Sequence, residues 1–414
     1  MLRVLRLSGE ELASLPTTEI EVATEATPKL TVRVWKKHLQ GLCGVARFRQ
    51  RLLQEGHVLD EDAEPDYSLD ALLVLLPFTD PGIEEREELS RAANGGLESQ
   101  VEALLQRPQN PNLLDSHGQA PLAHAAWQGH TQTARLLLEA GAEVDLLGSF
   151  GRTALHMASE AGHVEVAQLL LAAGADVSLG IVDGGLAGGV TAFHLASSRN
   201  CVDILQLLMQ ARAKADMPVA AGPLAGLTAL MAASEAGSVE SAGFLLEARA
   251  DMDAADASQR VAIHWASVRG RVGVVRLLLQ AGADKDVVEG GGCTALHLAS
   301  LFGQAEVARI LLEAGAKLDK VTKCGFTALP LAAFGGHGDI ARLLLLFDPG
   351  TRSIQDGNSD WQAFLAALSK GRVAVWLLVP SSCKVLRTCA IHSPGILTAC
   401  LLALMILILS KHTV

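Results

Sequence analysis

The sequence predicts an α solenoid, a stack of helix–turn–helix repeats joined by hairpin loops, which follows a small α+β domain. Three observations predict the solenoid. A Thr-Ala-Leu-His start or a close variant recurs, an apolar helix follows each copy, and most copies break at a glycine. A fixed period of about 20 to 50 residues indicates stacked repeats, because each unit buries its apolar face only against its neighbours.

Seven copies set the period. They start at residues 120, 153, 191, 228, 261, 294 and 327, so the intervals are 33, 38, 37, 33, 33 and 33 residues. A threonine at the start caps the helix, because its hydroxyl accepts a hydrogen bond from an unpaired helix N–H. The sequence predicts this for Thr153, Thr191, Thr228, Thr294 and Thr327. Val261 has no oxygen there, so we expect that helix start to be weaker by about 1 kcal/mol.

The residues and the period resemble the ankyrin repeat family. The resemblance implies an array over residues 89–380, with seven clear repeats and degenerate repeats at Leu89–Leu114 and Gly357–Leu378. Repeat arrays also predict that recurring residues build the stack and that binding residues lie where the copies differ. The two long intervals place insertions in hairpin loops, often on the binding face.

The resemblance directs attention to the two positions before each glycine and to the hairpin tips. Aromatic and arginine side chains there are the better candidates, because interface hot spots are enriched in them. For Phe302 and Phe334, burial between neighbouring repeats is the alternative. The predicted protein-binding residues of the array are Trp127, Gln128, Phe150, Arg152, Glu160, Arg199, Glu235, Arg269, Phe302 and Phe334.

Residues 1–78 begin with apolar residues that alternate with Arg3 and Arg6 as in a half-buried strand, and a helical stretch at Val32–Leu42 follows. Lys36-Lys37, Gln50-Arg51-Leu52-Leu53 and the final Leu72–Leu75 run resemble ubiquitin, which implies an integral ubiquitin-like (β-grasp) domain. No Gly-Gly end follows, so docking is expected rather than conjugation. The family's binding patch maps onto Leu53, Gly56 and Val74; packing of Leu53 and Val74 in the small core is the alternative.

Two segments flank the array. Residues 79–88 form an acidic linker, and residues 381–414 form a hydrophobic tail with no charge between 396 and 409. Fourteen helical residues span roughly 21 Å, which is short of the hydrocarbon core of about 30 Å. A membrane anchor, a buried final helix and a helix that docks a partner therefore remain open for the tail.

Several classes of function are excluded. The formal charge of −11 argues against nucleic acid, which binds basic surfaces. Seven cysteines without a Cys-x-x-Cys pair favour free thiols in a reducing compartment. The recurring histidines of neighbouring repeats lie too far apart to share a metal, so we expect them to hydrogen-bond loop backbone. No catalytic or phosphate-binding motif occurs, which predicts neither an enzyme nor a cofactor.

The sequence therefore predicts a cytoplasmic, non-catalytic adaptor or scaffold. One protein partner would bind the concave face of the array, and another, of the ubiquitin pathway, would bind the N-terminal domain. Two alternatives remain: a scaffold tethered to a membrane by residues 396–409 with the repeats facing the cytosol, and a regulatory or inhibitory subunit of an enzyme. The partner's identity and the oligomeric state do not follow from the sequence.

Overall fold

The computed structural model describes residues 2–6, 11–15, 31–63, 71–77, 83–107, 109–181, 189–220, 222 and 224–347, with backbone alone for the first two ranges. The chain divides into two compact units, Met1–Ala225 and Gly226–Val414. The predicted last repeat at 357–378 and the tail at 396–409 lie outside the described residues. Within the described ranges, no helix combines the length and the apolar character that crossing a membrane requires.

In the part of the chain that the structure describes, the first unit begins with a small mixed sheet and one helix. The strand order is β2-β1-β5-β3-β4, in which β1 runs antiparallel to β2 and parallel to β5, and β3 runs antiparallel to β4 and β5. The elements are β1 Leu2–Arg6, β2 Glu11–Leu15, α1 Val32–Cys43, β3 Gln50–Gln54, β4 His57–Val58 and β5 Ala71–Leu75, with a 3₁₀ turn at Arg47–Arg49.

One face of this sheet packs on the helix. Trp35 and Leu39 of α1 bury against Leu52 of β3 and Leu73 of β5. Side chains alternate across a strand, so the residues between these buried ones face away from α1. The alternating pattern of the sequence therefore sets which side of the sheet forms the core.

Pairs of short helices make up the rest of the first unit. The acidic segment runs into α2, which begins at Ile83. The helices are α2 Ile83–Asn94, α3 Glu98–Gln106, α4 Pro121–Gln128, α5 Thr131–Glu139, α6 Ala154–Ala161, α7 Val164–Ala172, α8 Ala192–Ser198 and α9 Val202–Gln210. The first helices of successive pairs pack on one another, as do the second helices, so the unit is a helical solenoid.

Over its described residues, the second unit repeats the same arrangement in four pairs. Its helices are α10 Ala229–Ala236, α11 Val239–Glu247, α12 Ala262–Val268, α13 Val272–Gln280, α14 Ala295–Leu301, α15 Ala305–Glu313, α16 Ala328–Phe334 and α17 Gly338–Phe347. Small side chains such as Ala266 and Ala299 are fully buried where first helices meet. Their small size lets the backbones of successive first helices approach closely.

The repeat start acts as a hydrogen-bonded box that joins two repeats. In the first unit, Nδ1 of His156 accepts from the Thr153 N–H at 3.2 Å, and Nε2 donates to the Leu179 carbonyl at 3.0 Å. In the second unit, His264 and His297 make the same contacts to the loops that follow them. The prediction that these histidines bond loop backbone is confirmed.

Threonine capping holds for some starts only. Thr153, Thr228 and Thr294 accept from the backbone N–H three residues on, at 3.4 Å in each case. Thr327 makes no such bond, and the expectation of capping there was wrong. The third residue after it is Pro330, which has no N–H to donate.

Candidate functional site

The ends of the first helices are held in place by the following repeat. Gly237 ends α10 with φ 87°, and Arg271 of the next repeat donates from Nε to the Glu235 carbonyl at 2.9 Å. A Cβ on Gly237 would lie 2.7 Å from the Arg271 side chain, so the positive φ and this close contact both favour glycine. His163, Gln304 and His337 make the same contact elsewhere in the array.

This arrangement leaves the last residues of each first helix at the surface. Four of the predicted binding residues lie there, and they form two ion pairs between neighbouring repeats. Glu160 binds Arg199 of the next repeat, with Nη2 at 2.7 Å from Oε1, and it also binds Arg152. In the second unit, Glu235 binds Arg269 at 2.6 Å between equivalent positions. These predicted binding residues are therefore partly neutralised by one another.

The pKa of Glu160 shows which effect dominates at this position. Burial raises the pKa, but hydrogen bonds and charge from Arg199 and Arg152 outweigh burial, and the net shift is downward. The carboxylate is thus ionised near neutral pH, and both arginines stay paired with it.

Aromatic side chains take the equivalent positions in the last two described repeats. Phe302 is 45% exposed and Phe334 is 55% exposed, so they do not bury between neighbouring repeats. They lie at the ends of α14 and α16, which pack on one another, and the axes of packed helices are about 8–10 Å apart. The second unit therefore presents two neighbouring exposed rings.

The first unit carries the remaining predicted residues of the array. Trp127 is 38% exposed at the end of α4, and the neighbouring Gln128 donates to the side chain of Asn94 at 3.1 Å. Phe150 is 67% exposed in the 3₁₀ turn Ser149–Gly151, with φ 61°. Most of the long insertion at 179–189 and part of that at 217–223 lie outside the described residues.

Leu53 and Val74 lie on the sheet face that points away from α1, and both are half-buried. Leu72 pairs directly with Leu53 across β3 and β5, and Val58 pairs with Leu53 across β3 and β4. The prediction did not include Leu72 or Val58, although strand alternation places Leu72 on the face of Val74. Gly56 lies in the turn after β3 with φ 83°.

Two further exposed residues were missed. Val288 and Val321 lie in successive hairpin loops of the second unit, and both are exposed. Their spacing equals the repeat period. The recurrence of an apolar residue at a hairpin tip was therefore the sequence pattern that could have indicated these two positions.

The described ranges show no group of three His, Cys, Asp or Glu side chains suited to a metal ion, and their recurring histidines are held by backbone contacts. Burial lowers the pKa of His156 to about 4, and it also lowers the pKa of His264 and of His297. These rings are therefore neutral near pH 7 and are engaged in the boxes that join the repeats.

Two models of known protein families match the helical repeats of this chain. The family described as ankyrin repeats (3 copies) matches residues 89–181, 181–256 and 248–322, and the family described as ankyrin repeats (many copies) matches residues 306–345. The chain belongs to the ankyrin repeat family. Ankyrin repeats indicate a protein–protein interaction domain, and no enzyme family is indicated.

One solved structure similar to this chain is the crystal structure of the human ASB11 ankyrin repeat domain. It is 29% identical in sequence, with a TM-score of 0.50, and the alignment covers 56% of this chain and 98% of that one. A search of curated proteins returns no match. The ankyrin helices described above are thus the part of the chain for which relatives are found.

Proposed function

We propose that this protein is a non-catalytic adaptor whose ankyrin repeats hold a protein partner at the ends of the first helices. The exposed pair of Phe302 and Phe334 carries the proposal. Aromatic rings give large apolar contact area at interfaces, and a few such residues supply most of the binding energy. Trp127 and Phe150 offer the same chemistry in the first unit.

The charged pairs supply selectivity rather than most of the affinity. Arg199 and Arg269 are exposed, but each already has a carboxylate partner. Exposed ion pairs contribute about 0–1 kcal/mol, so a binding partner gains little by replacing one. We therefore assign the larger share of the binding energy to the aromatic residues.

Affinity purification of the full chain with quantitative mass spectrometry tests this assignment. Replacing Phe302 and Phe334 by alanine should lower partner recovery by about tenfold or more, since each hot spot is worth about 2 kcal/mol. The matched control replaces Leu346 and Phe347, two other exposed apolar residues, and should retain the partners. Equal recovery from both variants would remove the proposal.

We infer that the N-terminal domain is ubiquitin-like and docks a second protein, one that recognises ubiquitin folds. The strand order and the packing of α1 against one sheet face support this inference. Leu53, Leu72 and Val74 form the apolar surface of the opposite face. Titrating the full chain with isolated ubiquitin-receptor domains tests the inference: Leu53→Ala should abolish binding and Leu42→Ala, an exposed position on α1, should not.

Two other roles compete with a cytoplasmic adaptor. The uncharged run at 396–409 favours a membrane-tethered scaffold, and retention of the full chain in carbonate-extracted membranes would support that role. An enzyme among the purified partners whose rate changes on adding the chain would instead support a regulatory subunit.

A further inference from the structure

The buried side chain of Arg47 links the N-terminal domain to the ankyrin repeats. Arg47 is 1% exposed and follows α1 in the chain. Its guanidinium binds the carboxylates of Glu61 at 2.6 Å, Glu139 at 2.8 Å and Glu102 at 3.4 Å. Glu61 belongs to the N-terminal domain, whereas Glu102 lies on α3 and Glu139 on α5. Two of its three partners are therefore residues of the repeats.

Further contacts surround this arginine. Lys37 of α1 places Nζ 2.7 Å from Oε1 of Glu139, and Arg33 places Nη1 3.0 Å from Oε1 of Glu102. Arg51 of β3 donates to the Gln106 carbonyl at the end of α3, at 2.6 Å. The N-terminal domain contributes the cationic side chains to this interface. The second helices of the first two repeats contribute carboxylates and one backbone carbonyl.

Burial makes this contact more than a surface ion pair. A buried charge without partners is strongly unfavourable, so an arginine that is almost fully enclosed needs the carboxylates around it. If the domain were free on a tether, Arg47 would lose Glu102 and Glu139 and would be exposed to water. The charge-assisted hydrogen bonds from the domain to Glu102 and Glu139 favour the docked state.

We propose that the N-terminal domain is docked on the second helices of the first two ankyrin repeats, α3 and α5, through Arg47, Lys37 and Arg33, and that the domain and these two repeats form one rigid body. The surface of α1 that carries Arg33 and Lys37 is thereby occupied by the repeats. The sheet face of Leu53, Leu72 and Val74 points away from α1. A second partner bound there would be held at a fixed orientation to these two repeats; this last clause rests on the proposed function, whereas the docking does not.

Zero-length carbodiimide coupling of the full chain tests the docking directly. The reagent joins an amine to a carboxylate only when they touch, so wild-type protein should yield a Lys37–Glu139 cross-link. Glu102→Arg places a cation against Arg33 and Arg47 and should lower that yield by about tenfold. Arg309→Glu is the control: it reverses a charge on α15, in the other unit, and should leave the yield unchanged.

Hydrogen exchange of the β3 and β5 amides accompanies the cross-linking. Loss of the cross-link with protected strands shows undocking of a folded domain, as proposed. Loss of protection also supports the proposal, because Glu102 lies on the repeats and could unfold the domain only through the docking contact. Absence of the cross-link in wild-type protein, or an unchanged yield in Glu102→Arg, would overturn it. None of these outcomes depends on the Phe302 and Phe334 purification.

Discussion

The repeats that start at Thr294 and Thr327 share a capping residue but differ three residues later. In the first, His297 accepts from the Thr294 N–H at 3.1 Å and donates to the Lys320 carbonyl at 3.0 Å. In the second, Pro330 takes the place of the histidine, and Thr327 makes no capping bond with its side chain. One substitution in the motif thus removes several hydrogen bonds.

The comparison shows that the recurring motif works as a unit. A threonine hydroxyl caps the helix only if the third residue beyond it has an N–H, and the histidine ring ties the start to the next loop only if both nitrogens have partners. The residues that recur therefore hold the stack together. The residues that vary at the helix ends, such as Phe302, are not needed to hold the stack together.

Removing the histidine should have the largest effect. His297→Ala leaves the Thr294 N–H and the Lys320 carbonyl without their partner, and buried polar groups left unpaired cost about 1–3 kcal/mol each. We expect the free energy of unfolding to fall by about 2–4 kcal/mol in urea denaturation. The matched Pro330→Ala should change it by less than about 1 kcal/mol, and a similar loss in both variants would contradict the comparison.

Acid should weaken the same boxes. The pKa of His156 is about 4 in the folded chain and about 6.5 when unfolded, so the unfolded state binds the proton first as the pH falls. The stability contributed is complete above about pH 6.5 and is lost as the pH falls toward 4, by about 2 kcal/mol at pH 5. Urea denaturation at pH 7 and pH 5 measures the loss.

His156→Asn serves as the reference for this pH dependence. Asparagine does not titrate, so the variant should lose about 2 kcal/mol less than wild type between the two pH values. Other groups, including the carboxylates of Glu139 and Glu160, titrate alike in both proteins and cancel in the difference. An equal loss in the two proteins would refute the role of His156.

The threonines themselves give a smaller, paired test. Thr294→Val removes a cap that is made, so the unfolding free energy should fall by about 1 kcal/mol. Thr327→Val removes a hydroxyl that makes no cap, so the change should stay within about 0.5 kcal/mol. Thermal or urea denaturation of both variants decides the matter, and a larger loss at Thr327 would show that Pro330 does not disable the cap.

The smallest expected effect is a gain. Val261 starts a repeat with His264 in place but has no hydroxyl. Val261→Thr supplies the missing acceptor and should raise the unfolding free energy by about 0.5–1 kcal/mol. A loss of stability would mean that the buried methyl groups of Val261 matter more than the cap.

Much of the array could be predicted from the sequence, because its rules are local. The helix starts and the loop-bonding histidines follow from residues a few positions apart, and the repeat period follows from the recurrence of that short motif. The sequence also predicted that Glu160 and Arg199 lie at the surface. It did not predict that they bind each other, because the pairing depends on how two repeats stack.

The N-terminal domain was predictable in a different way. Strand alternation predicts the faces of Leu52 and Leu53, which the burial pattern of β3 confirms. Identity with the ubiquitin fold remains a proposal. That Arg47 is buried had no signal in the sequence, since an arginine after a helix normally lies in solvent.

The sequence by itself determined the repeat and its boxes, because Thr153 and His156 are three residues apart and meet whenever that helix forms. Only the tertiary structure decided which charges are paired and which rings are exposed. Arg47 meets carboxylates 14, 55 and 92 residues away, and such contacts depend on packing between elements. Phe302 is exposed for the same physical reason: the described repeats pack around it without covering its ring.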